Sequence, residues 1–124
     1  MNYPEGDFLI KIKNACLAKK KTLEAKGGKL VYELAKILER EGFLSGVGKK
    51  DGKLLIQIGY KKKEPVLLNI RLVSKPGLRV YKNVRELGKI KGPSFFIIST
   101  PQGIMTSKDA IRKRLGGEVI AEIL

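Results

Sequence analysis

The stretch that decides the fold is a run of four apolar residues followed by small polar and turn-forming residues: Phe95-Phe96-Ile97-Ile98, then Ser99-Thr100-Pro101-Gln102-Gly103-Ile104-Met105-Thr106. A short apolar run next to turn signals is typical of a buried strand. Pro101-Gln102-Gly103 has the residues of a tight turn. Thr106, with Asp109 three positions later, resembles a capping box that starts a short helix. The pattern predicts a buried strand that delivers hydroxyl groups, an amide and free backbone groups to the surface on a rigid loop over residues 99–106.

The rest of the C-terminal half is predicted to be mostly β with that one short helix. Residues 66–73 alternate in polarity and indicate a strand. Pro76-Gly77 indicates a type II turn, because Pro fixes φ at its second position and Gly permits a positive φ at its third. Asn83 is a good cap for a brief helical turn. Residues 118–124 are expected to form a terminal strand.

The N-terminal half shows two helical patterns separated by an extended segment at residues 22–26. The first helix is predicted to begin at Pro4 and the second at Lys29, directly after the turn Gly27-Gly28. Apolar residues recur at helical spacing on one face of each helix. These residues are Leu9, Ile12 and Cys16 in the first helix and Leu30, Leu34, Ile37 and Leu38 in the second.

Residues 43–60 are predicted to form a hairpin around Asp51-Gly52, which is a strong two-residue turn signal. The hydrophilic stretch at residues 61–65 is too short for a flexible linker and marks a domain boundary. The predicted class is therefore α+β, with two small α/β domains in close contact. Residues 1–62 would form a helix-strand-helix-hairpin domain, and residues 63–124 a mostly β domain with a short helix.

Composition favours a polyanionic partner. Lys and Arg number 26 against 12 Asp and Glu, a net charge of +14 spread over both halves, and such an excess suggests nucleic acid. Surplus lysine kept for solubility is the alternative. The chain has no run of about 18 apolar residues and no signal-peptide pattern, so no membrane segment and a cytoplasmic location are predicted.

Catalysis and metal binding are not predicted. The chain has no His and a single Cys, which removes the commonest general base and any cysteine-rich zinc site. A nucleophile at Ser99 or Thr106 would lack a base specified by spacing. Cys16 is expected to be a small core residue. No cofactor is predicted, and an RNA-processing enzyme is the weakest of the alternatives.

RNA binding accounts better for the polar groups of the 99–106 loop. Hydroxyl, amide and backbone groups on a rigid loop can contact base edges, 2′-hydroxyls and phosphates. For any one of these hydroxyls, local backbone capping is the competing interpretation. Two basic segments likewise have both a structural and an RNA-binding interpretation. Lys19-Lys20-Lys21 is a solvated helix end or a set of phosphate contacts, and Gly27-Gly28-Lys29 is first a turn and second a phosphate contact.

Three blocks in the C-terminal half form an ordered pattern: Ser74-Lys75-Pro76-Gly77-Leu78-Arg79-Val80-Tyr81, Ser99-Thr100-Pro101-Gln102-Gly103-Ile104-Met105-Thr106 and Gly116-Gly117-Glu118-Val119. In order and interval these blocks resemble the bacterial small-subunit ribosomal protein eight family. The N-terminal half resembles the same family at Ile12-Lys13-Asn14 and Glu41-Gly42-Phe43, so the resemblance covers nearly the whole chain.

The resemblance implies a primary binder of the central domain of small-subunit ribosomal RNA. Such a protein grips an irregular stem, supports subunit assembly beside neighbouring small-subunit proteins, and in many bacteria also represses translation of its own operon messenger RNA. Glu118 would orient the loop from the adjacent strand.

This chain departs from the family pattern at two places. The usual loop reads Ser-Thr-Ser-Lys-Gly, and here Pro101 and Gln102 replace its second Ser and its Lys. The usual start reads Asp-Pro-Ile-Ala-Asp, and here it is Tyr3-Pro4-Glu5-Gly6-Asp7. The candidate RNA-binding residues are Ser99, Thr100, Pro101, Gln102, Gly103, Met105, Thr106, Tyr81, Lys82, Arg79, Glu118, Lys29 and Asn14.

Overall fold

Four helices and ten short strands make up the described chain, and every paired strand is antiparallel. The computed structural model describes residues 3–67, 69–90, 92 and 94–124. The predicted α+β class is confirmed. No helix within these ranges combines the length and the apolar character needed to cross a bilayer.

The helices are α1 (Pro4–Leu17), α2 (Lys29–Arg40), α3 (Val84–Gly88) and α4 (Ser107–Arg112). The strands are β1 (Thr22–Lys26), β2 (Leu44–Lys50), β3 (Lys53–Ile58), β4 (Tyr60–Lys61), β5 (Glu64–Pro65), β6 (Ile70–Leu72), β7 (Tyr81–Lys82), β8 (Phe95–Thr100), β9 (Gly103–Thr106) and β10 (Gly117–Ile123).

The chain divides into two compact units. Asp7–Leu68 forms one, here the N-terminal unit. Met1–Gly6 joins Asn69–Leu124 in the other, here the C-terminal unit. The division between residues 62 and 63 stays a prediction.

In the N-terminal unit, β3 is the central strand of a three-stranded sheet in the order β1-β3-β2. Its alternation buries Leu54, Ile56 and Ile58 on one face. The predicted turn is confirmed, since Asp51 and Gly52 both have positive φ (52° and 77°), as a type I′ hairpin requires. The predicted apolar face of α2 is confirmed at Leu34, Ile37 and Leu38 and is wrong at Leu30. Leu30 is 46% exposed, and Val31 is buried beside Leu34, Ala35, Ile37 and Leu38.

Residues 66–73 do not form the single strand predicted for them. Val66 N–H donates to the Gly59 carbonyl (2.9 Å), which extends the hairpin between β4 and β5. Asn69 instead exchanges backbone hydrogen bonds with Leu124 (3.0 and 2.9 Å), and β6 continues that ladder. The two ends of the segment thus pair with different partners. Residue 68, which falls inside the predicted strand, lies outside the described residues.

The C-terminal unit is built on β10, which pairs with β8 on one side and with both β6 and β7 on the other. β9 pairs with the far side of β8. A bulge between Val119 and Ala121 interrupts the alternation expected of a regular strand, so Ile120 is buried as well as Val119 and Ala121. α3 and α4 pack together, and α4 also packs on β8 and β9. Leu87, Ile98, Met105, Ala110 and Val119 form the core between them.

Candidate nucleic-acid interface

Residues 99–106, predicted as a rigid loop with a tight turn at Pro101-Gln102-Gly103, form a tight β-hairpin around that turn. β8 continues through Thr100, β9 begins at Gly103, and Thr100 pairs with Gly103. The exposed turn consists of Pro101 and Gln102. Gly103 has φ 114°, a conformation that a side chain would strain. Antiparallel pairing drew the flanking residues into the sheet, so the tip of the hairpin is narrower than the sequence suggested.

The two threonines of this hairpin stabilise its shape. The Thr100 hydroxyl donates to the Gly103 carbonyl (2.8 Å) and accepts from the Gln102 N–H (3.1 Å). The Thr106 hydroxyl accepts from the Asp109 N–H (3.2 Å) and so caps α4, and Thr106 is only 2% exposed. Both hydroxyls therefore bind nearby backbone groups, as the interpretation of local backbone capping predicts.

Among the remaining candidates on the hairpin, exposure differs sharply. Met105 is buried in the core of the unit. Ser99 and Gly103 are half-buried, whereas Pro101 and Gln102 are exposed at the tip. The atoms that a ligand could reach without unfolding the hairpin therefore belong to Pro101, Gln102 and the partly open faces of Ser99 and Gly103.

A row of side chains crosses the sheet next to this tip. Glu118 pairs with Tyr81 on one side and with Ser99 on the other. Directly opposite residues of antiparallel strands project from the same face, so Tyr81, Glu118 and Ser99 form one lateral row, here the sheet-end row. Tyr81 is 67% exposed. Lys82 pairs with Gly117 in the adjacent position. Three segments that are distant in the sequence thus meet at one end of the sheet.

Arg79 lies above this row and is held by an acidic and an aromatic partner. Its Nη1 donates to Glu118 Oε2 (3.1 Å), and its guanidinium stacks 4.8 Å from the centre of the Tyr3 ring. The Glu118 carboxylate therefore accepts from Arg79, while its backbone pairs with the hairpin strand at Ser99. The resemblance implied that the Glu118 carboxylate orients the loop directly. In the structure this carboxylate binds Arg79 instead, because a carboxylate prefers a cationic donor.

Tyr3 and Ser74 are contributors that the sequence analysis missed. Tyr3 is 7% exposed, and its hydroxyl has no hydrogen-bond partner among the described residues. Burial, followed by the nearby Glu118 carboxylate, raises the Tyr3 pKa, and Arg79 partly opposes that shift. Ser74 is fully buried, and its hydroxyl binds both backbone groups of Val80, accepting from its N–H (2.9 Å) and donating to its carbonyl (3.3 Å). Ser74 thereby closes the turn that presents Arg79 and Tyr81.

Two candidate residues belong to the N-terminal unit. Asn14 is exposed on α1. Lys29 is exposed at the start of α2, beside a cleft of about 620 Å³ that Gly27, Gly28, Lys49, Lys50 and Lys53 also line. Both residues belong to the N-terminal unit, whereas the sheet-end row belongs to the C-terminal unit.

Comparisons with known proteins give the family. The sequence profile described as Ribosomal protein S8 matches residues 4–124. The small ribosomal subunit protein uS8 of Enterococcus faecalis (strain ATCC 700802 / V583) is 41% identical over 129 residues, covering 99% of this chain and 98% of the relative. The same protein of Streptococcus pneumoniae serotype 19F (strain G54) is equally similar over the same shares.

These matches show that the chain is a structural ribosomal protein and not an enzyme. The chain belongs to the ribosomal protein S8 family. The resemblance noted from its C-terminal blocks is therefore confirmed.

Proposed function

We propose that this protein is an RNA-binding constituent of the small ribosomal subunit that grips an irregular stem in the central domain of the ribosomal RNA. In this role it supports assembly of the subunit in the cytoplasm, beside neighbouring small-subunit proteins. The observation that carries the proposal is the sheet-end row, Tyr81, Glu118 and Ser99, together with the exposed turn Pro101-Gln102. The row joins the three blocks on which the family resemblance depends.

The chemistry of this surface suits the shallow minor groove of an irregular stem. A-form RNA has a major groove too narrow for side chains, whereas its minor groove presents 2′-hydroxyls and base edges. The Gln102 amide can donate and accept at once. The exposed Tyr81 ring offers a face on which an unstacked base can lie. Pro101 stiffens the turn and so reduces the entropy lost on binding.

Phosphate contacts in this unit come from cations other than Arg79. The Arg79 guanidinium is engaged by Glu118 and Tyr3, so its task is to hold the row in place. Lys82 follows Tyr81 on β7 and so projects from the opposite face of the sheet edge, and Lys113 and Arg114 follow the last turn of α4. With about four phosphate contacts, affinity falls roughly 100-fold between 50 and 200 mM salt. An affinity that does not change with salt would contradict the electrostatic part.

The test compares two exposed side chains of matched accessibility. Tyr81 and Leu78 are 67% and 66% exposed. Tyr81→Ala is expected to weaken binding to the cognate stem about 10-fold or more, because a base loses about 1–3 kcal/mol of stacking. Leu78→Ala should leave the affinity unchanged. The measurement is filter binding to the cognate stem and to a generic RNA duplex, and equal losses for the two variants would overturn the proposed site.

Thr100→Val tests whether the hairpin reads the RNA. The variant removes the bonds to Gly103 and Gln102 that fix the tip. Its affinity for the cognate stem should fall more than its affinity for generic duplex. Equal losses on both RNAs would mean that the hairpin positions the protein without contributing selectivity.

A second role uses the same surface. The free protein would repress translation by binding a similar stem in the messenger RNA of its own operon. Sedimentation of cell extract separates the two roles, because a regulator is found outside ribosomes and a subunit constituent cosediments with them. Crosslinking in cells followed by sequencing of the attached RNA identifies the stem in either case.

A further inference from the structure

Six exposed lysines come together in the N-terminal unit, and the sheet-end row does not use them. The loop after α1 is tied to the end of β3 and to β4 by backbone and side-chain hydrogen bonds. Tyr60 donates through its hydroxyl to the Lys20 carbonyl (2.6 Å), and Ile58 N–H donates to the Lys21 carbonyl (2.9 Å). These lysines, here the lysine cluster, are Lys19, Lys20, Lys21, Lys61, Lys62 and Lys63.

The lysine cluster borders a cleft of about 530 Å³. Its lining combines cationic, polar and aromatic groups: Lys19, Lys21, Thr22, Ser45, Gln57, Ile58, Tyr60 and Lys63. The amide of Gln57 and the hydroxyl of Thr22 can donate and accept hydrogen bonds. The cleft is therefore equipped for a ligand that carries both phosphate charge and hydroxyl groups.

Half of the lysine cluster occupies backbone positions that suit other residues better. Lys62 and Lys63 form the two-residue turn between β4 and β5 with φ values of 53° and 67°. A type I′ turn of this kind strongly prefers Asn-Gly. Lys19 has φ 53° at the end of α1, where Lys19 N–H and Lys20 N–H donate back to Cys16 and Ala15. Helices that end in this way usually place Gly there.

Left-handed backbone at side-chain-bearing residues costs stability and persists chiefly where it serves function. Three lysines held in such positions within one cluster point to a role for their charge that outweighs the strain. Glu64 is the only acidic residue in segments 19–21 and 60–65. It pairs with Lys19 at 3.3 Å, but both side chains are about two-thirds exposed, so water and salt weaken the pair. The cluster keeps a strong positive field.

We infer that the lysine cluster is a second RNA site, which binds the phosphate backbone of a duplex segment without regard to sequence. The site lies in the N-terminal unit, and it is distinct in residues and chemistry from the proposed sheet-end surface. RNA is the polyanion that a ribosomal protein meets, and the hydroxyl and amide groups of the cleft suit a 2′-hydroxyl. The inference does not depend on the proposed stem, because any duplex satisfies it.

The decisive variant replaces the strained turn with the sequence that its backbone prefers, Lys62→Asn with Lys63→Gly. We expect the melting temperature to rise by about 3 °C or more, since the strain at both positions is relieved. Affinity for a generic RNA duplex should fall about 10-fold at 100 mM salt, and the slope of log K against log salt should become shallower by about 2. A purely structural turn would gain stability with no loss of binding.

A charge-matched control separates the cluster from overall charge. Lys11→Gln with Lys26→Gln removes two exposed cations of the same unit outside the cluster. This control should change the duplex affinity by less than about twofold. The inference is overturned if the control and the turn variant lose equal affinity, or if the turn variant loses none.

Two further readouts identify the partner and keep this inference apart from the proposed function. Binding to vesicles of anionic phospholipid that equals binding to duplex RNA would overturn the assignment to RNA. The ratio of cognate-stem to generic-duplex affinity should be the same in the turn variant and the wild type. A failure of the sheet-end proposal would appear instead as a Tyr81→Ala variant with an unchanged ratio.

Discussion

Gly117 lies against the backbone carbonyl of Ser99 so closely that a Cβ at position 117 would overlap the Ser99 oxygen. On its other side, Gly117 pairs with Lys82. A Cβ at Gly116 would likewise lie 2.7 Å from the Lys82 carbonyl oxygen. These two glycines let β10 enter between β7 and β8, and that entry places Tyr81, Glu118 and Ser99 in one row.

Gly117→Ala is expected to destabilise the protein by about 3 kcal/mol. The added methyl group would overlap the Ser99 carbonyl, and the backbone of the paired strands would have to shift to make room for it. Urea unfolding measures the loss. Gly48→Ala is the matched control, since Gly48 also lies in a strand but a Cβ there meets nothing within 4 Å. The prediction fails if the two variants have equal free energies of unfolding.

Local signals in the sequence predicted local structure well. The turn at Asp51-Gly52, the cap at Asn83 and the cap at Thr106 were each recognised, because a turn or a cap depends on neighbouring residues. Asn83 even forms the complete capping box with Glu86. The face of α2 was misplaced at Leu30 because an apolar stripe on a helix is broad, and its centre depends on what packs against it.

The errors in the candidate site arise from pairing between distant segments. The tight turn at Pro101-Gln102-Gly103 was recognised, but the sequence did not show that the residues on both sides of it pair as strands, from Thr100 with Gly103 to Ile97 with Thr106. The sequence around Glu118 likewise does not show that its carboxylate forms an ion pair with Arg79. The family resemblance named Ser99 and Glu118 without giving this geometry. The sequence around Tyr3 departs from the usual start of the family but does not indicate a role for the ring, because Arg79, which stacks on it, is more than 70 residues away in the chain.

Tyr3 and Gly6 are predicted to be energetically coupled. A Cβ at Gly6 would lie 2.5 Å from Cδ2 of the Tyr3 ring. Gly6→Ala alone should therefore cost about 2 kcal/mol. In a Tyr3→Ala background the clash is absent, and Ala in place of Gly within α1 should stabilise by up to about 1 kcal/mol. A double-mutant cycle measures this reversal of sign, and additive effects would contradict it.

Tyr3→Phe provides the companion measurement. The Tyr3 hydroxyl is buried without a hydrogen-bond partner among the described residues, so its removal should leave stability unchanged or raise it by up to about 1 kcal/mol. The ring that stacks on Arg79 is kept. A clear loss of stability would show that the hydroxyl has a partner.

Thr106→Val is expected to destabilise the protein by about 1 kcal/mol through loss of the α4 cap. Since Thr106 is buried, the affinity of the folded protein for RNA should not change. Thr106→Ser keeps the capping oxygen and is the control for stability. Weaker binding by folded Thr106→Val, with the affinity of Thr106→Ser intact, would give the hydroxyl a direct part in recognition.

Glu122 is predicted to make stability depend on pH on the acid side. Its Oε2 accepts from the Ser94 hydroxyl (2.7 Å), and its Oε1 accepts from Arg71 Nε (2.9 Å). The hydrogen bond from Ser94 first, and then Arg71, hold the pKa of Glu122 below its ordinary value. A depressed folded pKa stabilises the protein above the unfolded value of about 4.3, and that contribution is lost as pH falls through the folded pKa.

Two variants test this linkage by urea unfolding between about pH 6 and 3. Glu122→Gln should be less stable than wild type near neutrality, and its free energy of unfolding should fall less steeply on acidification. Ser94→Ala removes the larger cause of the shift, so the folded pKa should move back towards its ordinary value and the acid-side loss should shrink. The interpretation requires both profiles to differ from the wild type in this direction. A Glu122→Gln profile parallel to that of the wild type would assign the acid sensitivity to other carboxylates.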